Sequence, residues 1–86
     1  MKTPEALIHR AVADAAIVNR GKVGDGYRWR SDLGTDETYD AYLIQEVNSR
    51  LGTRFVRSDI ADLLAGDPTV FELNERFLEL YYQTVE

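Results

Sequence analysis

The chain has 86 residues, 44% of them hydrophobic and 29% charged, and no cysteine. A chain of this size forms one domain that buries roughly 60–65% of the surface its unfolded form exposes, so we expect a single core over residues 1–86. The composition is too apolar for intrinsic disorder, and the lack of cysteine excludes disulfides, thiol catalysis and thiolate metal sites.

The first helix is predicted over about residues 4–19. Thr3-Pro4-Glu5 is typical of a helix start, with a hydroxyl N-cap, a proline at the first helical position and an acid near the positive end. An apolar stripe follows at helical spacing: Leu7, Ile8, Ala11, Val12, Ala15 and Val18. Gly21 offers a left-handed stop.

Residues 20–36 have no helical period and are predicted to form a loop of 17 residues. Helix connections in ordinary bundles have about 2–8 residues, so this loop must pack down or serve a purpose. Three side chains are available as anchors in the core: Tyr27, Trp29 and Leu33. We expect Arg28 and Arg30 to point into water.

The second helix is predicted over about residues 37–51. Asp36 is a suitable N-cap and Gly52 a suitable stop. The apolar stripe between them consists of Tyr39, Leu43, Ile44, Val47 and Leu51.

A short third helix and a long fourth one complete the pattern. Ser58 is expected to cap the third, which ends at Gly66. After Asp67-Pro68-Thr69, the last helix has an inner face of Val70, Leu73, Phe77, Leu80 and Tyr81. A second stripe on that helix, Phe71, Leu78 and Tyr82, is either covered by the long loop and the third helix or left exposed as a partner or homodimer surface.

The segment from Trp29 to Asp36 reads WRSDLGTD. It resembles the aromatic-x-x-Asp-Leu-Gly-x-Asp-Ser-Leu segment of acyl and peptidyl carrier proteins, in which the serine holds phosphopantetheine. Leu51-Gly52 is similar to the end of that family's second helix, and DPTVFEL, residues 67–73, is similar to the opening of its last helix in modular synthases. The resemblance covers essentially the whole chain. It implies an all-α, four-helix carrier-like bundle of antiparallel type, with a long loop between the first two helices and a short third helix.

Two departures from the family pattern matter. The segment between Gly52 and Pro68 is a few residues longer than usual. Glu37 stands at the position of the attachment serine, and Thr38 at that of the following leucine. The family's reaction needs a hydroxyl that attacks the β-phosphate of coenzyme A, and a carboxylate cannot make that bond. We therefore expect no cofactor, with 4′-phosphopantetheine bound only if another hydroxyl is used.

The resulting hypothesis is a non-catalytic recognition module with a degenerate attachment site at Asp36, Glu37 and Thr38. Its partner-binding residues would be Glu37, Asp40, Tyr42 and Glu46. The resemblance implies a partner among fatty acid, polyketide or nonribosomal peptide enzymes. The net charge of −5 is concentrated in residues 36–86, which hold four Lys/Arg and eleven Asp/Glu, and this favours a basic docking surface on the partner.

Two alternatives stay open. One is a working carrier that uses another hydroxyl, such as that of Thr35 or Thr38. The other is an unrelated helical adaptor or regulatory protein. Nucleic acid is disfavoured because a helix-turn-helix drawn through the short third helix would present Asp59 and Asp62 to phosphates.

Catalytic, metal and membrane roles are not expected. His9 is predicted to be a solvated helix residue rather than a general base. Asp36, Glu37 and Asp40 would make at best a weak magnesium or calcium site. The longest apolar run, Ala15 to Val18, is far shorter than the ~20 residues of a membrane span, so we expect a soluble, cytoplasmic protein.

Overall fold

The computed structural model describes residues 3–16, 24 and 26–84. This part of the chain is helical, with α1 (Pro4–Ala15), α2 (Glu37–Leu51), a 3₁₀ turn (Arg57–Asp59), α3 (Ala61–Ala65) and α4 (Val70–Thr84). Within these ranges the only β-pairing is an isolated bridge between Arg28 and Thr69. None of the described helices is both long and apolar enough to cross a membrane. The all-helical class predicted from the sequence is confirmed.

Capping residues set the ends of the long helices. Thr3 Oγ1 accepts from Ala6 N at 3.2 Å at the start of α1, and Gly52, with φ 70°, ends α2 in the left-handed conformation that glycine adopts without strain. The bounds of α2 agree with the prediction. α1 is helical to Ala15, and the predicted end near residue 19, with its stop at Gly21, lies outside the described residues.

The third helix begins differently from its prediction. Ser58 lies inside the 3₁₀ turn and caps nothing, so its predicted role is wrong, and α3 starts after Ile60. Asp59 takes the local capping role, because its carboxylate accepts from Val56 N at 2.9 Å. Two successive short turns replace one capped helix here.

α4 begins with a reciprocal pair of hydrogen bonds. Thr69 Oγ1 accepts from Glu72 N, and Glu72 Oε1 accepts from Thr69 N, each at 3.1 Å. This capping box satisfies two backbone donors that the helix itself leaves free. The capping box comes directly after the Asp67-Pro68 turn and sets the first residue of α4.

α1 packs against both α2 and α4. The buried apolar residues of the described chain are Ile8, Ala11, Val12, Ala13, Ala15, Ala16, Trp29, Leu43, Ile44, Val47, Phe55, Ile60, Leu64, Val70, Leu73 and Phe77. Three residues expected in the core, Leu7, Leu33 and Leu51, are only half-buried. Tyr27, predicted to anchor the loop in the core, is 47% exposed, so that prediction is wrong.

Phe55 enters the core from a segment with no regular structure. Its ring lies 6.0 Å from that of Phe77, centroid to centroid. Asn48 on α2 holds the segment in place: its Oδ1 accepts from Phe55 N at 2.8 Å and its Nδ2 donates to Phe55 O at 2.9 Å. A single amide thus replaces the hydrogen bonds of a helix or strand at this point.

Arg76 joins α4 to α3. Its Nη1 and Nη2 each donate to Asp62 at 2.8 Å, and Nη1 also donates to Asp59 O at 2.9 Å. This two-pronged contact is the favourable geometry for an arginine and a carboxylate. The hydrogen bonds from Arg76 lower the pKa of Asp62 from 3.8 to about 2.

We expect an NMR titration of Asp62 to have its midpoint near pH 2. Since the folded pKa lies below the unfolded one, the contact stabilises the fold above about pH 4 and this contribution is lost as the pH falls through about 2. In Arg76→Gln the midpoint should return towards 3.8, the ordinary value. A wild-type midpoint already near that value would show that the contact does not persist in solution.

Candidate functional site

The predicted attachment region lies at the start of α2. Asp36 is the N-cap, and its Oδ1 accepts from Thr38 N at 2.9 Å. Glu37 is the first residue of the helix and is exposed, as is Thr38. In the described part of the chain the Glu37 carboxylate has no hydrogen-bond or ion-pair partner. The helix therefore presents a free carboxylate beside its unpaired N–H groups.

The loop before α2 is a compact turn with its own local bonds. Arg28 N donates to Asp32 Oδ2 at 2.7 Å, and Gly34 N donates to Arg30 O at 2.9 Å. Gly34 has φ 68°, a conformation that a residue with a Cβ adopts only with strain. Leu33 is half-buried against the core. The Asp-Leu-Gly residues thus have structural roles in shaping this turn.

Trp29 connects this turn to two helices and is fully buried. Its indole Nε1 donates to Asp40 Oδ1 on α2 at 2.8 Å, and its backbone N donates to Pro68 O at 2.7 Å, just before α4. Its own carbonyl accepts from Thr35 Oγ1 at 2.7 Å. The end of the loop, α2 and the segment just before α4 therefore meet at one residue.

Asp67 fixes the outer side of the loop. Its carboxylate accepts from Arg30 N at 3.0 Å, Ser31 N at 3.3 Å and Ser31 Oγ at 2.7 Å. The hydrogen bond from the Ser31 hydroxyl is the main cause that lowers the pKa of Asp67. Arg28 donates to the Asp67 carbonyl at 2.9 Å. The loop is thereby bound to the turn that precedes α4.

Asp40 lies in the core instead of on the partner-facing surface, so the exposure predicted for it is wrong. Its side chain is 0% exposed, and Arg30 Nη2 contacts its Oδ2 at 2.6 Å while Arg57 Nη2 lies 3.8 Å away. Arg30, predicted to point into water, turns inward because a buried carboxylate needs a charged or hydrogen-bonding partner.

A sequence signal for this burial exists. Asp40 precedes Leu43, Ile44 and Val47 by three, four and seven residues, which is the spacing of one helical face. This face of α2 packs into the core, and Tyr39 and Leu51 at its edge are half-buried. An acid on the inner face of a helix needs hydrogen-bond donors nearby, and here the loop supplies them through Trp29 and Arg30.

The other two partner-binding candidates, Tyr42 and Glu46, offer less free negative charge than predicted. Tyr42 is 50% exposed. Glu46 is half-buried and pairs with Arg50 at 3.2 Å, and Arg50 also pairs with Asp14 on α1. A shallow groove of about 200 Å³ lies between α1 and α2 at Asp14, Ala15, Tyr42 and Glu46. Of the four predicted residues, Glu37 alone offers an unpaired charge.

The residues at this helix start do not fit covalent attachment of phosphopantetheine. The position at the head of α2 holds a carboxylate, which lacks the nucleophilic hydroxyl. The Thr35 hydroxyl is buried and donates to Trp29 O. Thr38 has an exposed side chain but lies one position further along the helix.

Metal and catalytic alternatives gain no support from this geometry. Within the described ranges, no group of three or more His, Asp or Glu side chains could hold a metal ion. Asp40 turns away from Asp36 and Glu37 into its contacts with Trp29 and Arg30. His9 lies half-buried on α1, and the Ser31 hydroxyl is committed to Asp67.

We expect Asp40→Ala to lower the free energy of unfolding by about 3 kcal/mol, because it leaves a buried indole N–H and a guanidinium without their acceptor. Asp40→Asn keeps an acceptor for Trp29 and should cost less. Urea unfolding followed by circular dichroism measures both. Glu37→Gln, an exposed change in the same helical turn, is the control and should shift stability by no more than about 0.5 kcal/mol. Equal effects of Asp40→Ala and Glu37→Gln would contradict the buried network.

Comparison of the chain with protein-family models, with curated protein sequences and with solved structures found no match.

Proposed function

We propose that the chain is a carrier-protein-like, non-catalytic interaction module that is recognised by a biosynthetic enzyme but not loaded with an acyl group. The observation that carries the proposal is the exposed Glu37 at the first position of α2, above a loop anchored through Trp29. The partner would belong to fatty acid, polyketide or nonribosomal peptide metabolism. The carrier-like sequence motifs support this choice, and the all-helical fold is compatible with it.

The chemistry of a helix start supports recognition through Glu37. The free N–H groups and the helix dipole favour an anion there by about 0.3–1 kcal/mol at an exposed site. A carboxylate at this point provides part of the negative charge that a phosphodiester would have. A partner that binds a carrier at the N-terminus of its second helix would therefore meet a similar electrostatic field here.

Asp36 supports the same interpretation by its geometry. Its side chain is occupied with the Thr38 N–H, which leaves Glu37 as the free acid at the helix start. A cationic side chain of a partner can pair with Glu37 without breaking the cap. The expected contribution is small, so specificity depends on neighbouring contacts such as the half-exposed Tyr42.

The second candidate is a working carrier that uses Thr38. Its exposed side chain is the one observation that favours this candidate. Against it, the Thr38 N–H is the one that Asp36 binds, so the residue lies within the first helical turn rather than at its head. A phosphopantetheine arm on Thr38 would be attached one residue further into the helix than one at position 37.

An unrelated helical adaptor is the third possibility. Asp32, Gly34 and Asp67 each have local structural roles, so their presence alone does not require a carrier ancestor. The position of Glu37 relative to the anchored loop is what distinguishes the proposal, and it can be tested by restoring the missing hydroxyl.

The test is co-expression with a broad-specificity phosphopantetheinyl transferase followed by intact mass measurement. We expect the wild-type chain and Glu37→Ala to stay unmodified. Glu37→Ser should gain a phosphopantetheine on at least part of the protein, because the hydroxyl is then placed at the head of α2. A known carrier domain in the same cells controls for transferase activity.

Two results would count against the proposal. Modification of the wild-type chain at Thr35 or Thr38 would make it a working carrier. No modification of folded Glu37→Ser would mean that the surroundings of Glu37 are not those of an attachment site.

A further inference from the structure

A second surface, between α1 and α4, has a groove of about 470 Å³. Its lining comes from the N-terminal part of α1 and from α4, and includes Glu5, His9, Phe71, Asn74, Glu75 and Leu78. We call it the α1/α4 groove.

The α1/α4 groove has an apolar side formed by α4. Phe71 is 53% exposed, and Leu78 lies seven residues later on the same face. Tyr82 continues the row at 49% exposure. Phe71 and Leu78 are separated by about two helical turns, or roughly 10 Å along the axis. This length suits two successive turns of a docked helix, which would present apolar side chains at three- and four-residue intervals.

The charges around this apolar row are acidic. The ionisable residues that line the groove are Glu5, Glu75 and His9. Glu72 and Glu79 are also exposed on α4. Beyond Glu37 at its start, α2 has its acids buried or paired, whereas this surface carries several carboxylates beside apolar groups.

The wall of the groove also contains a hydrogen-bond acceptor without a donor. Asn74 Oδ1 is buried and has no partner in the described part of the chain. A buried acceptor without a partner is unfavourable, and a rotation of the half-buried Asn74 side chain would bring this oxygen to a donor inserted between Phe71 and Leu78. Lysine and arginine combine such a donor with an aliphatic stem that packs on apolar side chains.

We infer that the α1/α4 groove binds an amphipathic helix of a partner protein that presents Lys or Arg side chains beside apolar ones. A second copy of this chain is a poor occupant, since its α4 would bring Glu72, Glu75 and Glu79 against the same acids. Anionic lipid and nucleic acid are repelled for the same reason. The inference concerns a different face from the start of α2 and does not depend on the proposed function.

The test uses two synthetic helical peptides of ~18 residues, about five turns. Both have leucines at positions i, i+3, i+4 and i+7, and they differ only in having Lys or Glu at the polar positions. Each is titrated into the isotope-labelled full chain and followed by NMR. We expect the Lys peptide to bind saturably and to shift the resonances of residues 3–9 and 71–82, and the Glu peptide not to bind.

Matched variants separate a specific groove from general attraction to a chain of net charge −5. Glu75→Lys should weaken binding of the Lys peptide about tenfold, while the double change Gln45→Lys with Ser49→Lys, the same change of two charges on exposed positions of α2, should have less than a twofold effect. Phe71→Ala should also cost about tenfold. Val56→Ala is its control, because Val56 is 55% exposed and Phe71 53%.

Several results would overturn the inference. Equal losses in Glu75→Lys and in the Gln45→Lys, Ser49→Lys control would show that the binding is only unspecific charge attraction. Shifts centred on α2, equal binding of the Glu peptide, or no saturable binding would each exclude the groove as the site. Self-association of the wild-type chain that Phe71→Ala abolishes in sedimentation would identify a second copy as the occupant. All four variants change exposed side chains, so circular dichroism should show an unchanged fold.

Discussion

The buried contact between the Trp29 indole and the Asp40 carboxylate determines how the loop, α2 and α4 are arranged. A carboxylate without water needs donors, and Trp29 supplies one at 2.8 Å while Arg30 supplies the second at 2.6 Å. Because the Trp29 backbone also binds Pro68, satisfying Asp40 places the loop across the start of α2 and against the turn before α4. Glu37 is the first residue of α2 because Asp36, at the end of this loop, caps the helix.

The same contact changes the charge pattern of the surface. With Asp40 buried and Glu46 paired to Arg50, α2 presents little acidity beyond its start. The carboxylates of α4 and Glu5 lie around the α1/α4 groove instead. The two proposals therefore concern two kinds of surface, a single anion at a helix start and an acidic groove with an apolar side. They can be tested separately because no residue is common to both.

Local signals in the sequence predict the helices well, and tertiary contacts explain the differences. Asp36, Gly52 and Thr69 act through bonds to neighbours in the chain, so the bounds of α2 and the start of α4 could be predicted from residue type and spacing. The spacing of Asp40 to the apolar residues of α2 indicates its burial, but the partners that make this burial possible lie 10 and 11 residues away, in a loop without periodicity. Phe55 gives no such local signal, since Asn48 and Phe77 position it in a segment that belongs to no helix. Among the candidate site residues, the exposure of Glu37 and Tyr42 and the i,i+4 pair of Glu46 with Arg50 follow from local spacing, whereas the contact of Arg50 with Asp14 on α1 is tertiary.

The most direct measurement of the central contact is hydrogen exchange of the Trp29 indole N–H, followed by NMR. The chain has one tryptophan, so its indole signal is unambiguous. If this group is bound to Asp40 in the core, it should exchange only when the whole domain unfolds, as slowly as the most protected backbone amides of α2. Exchange at the rate of a solvent-exposed indole, in a chain whose α2 amides stay protected, would contradict the account.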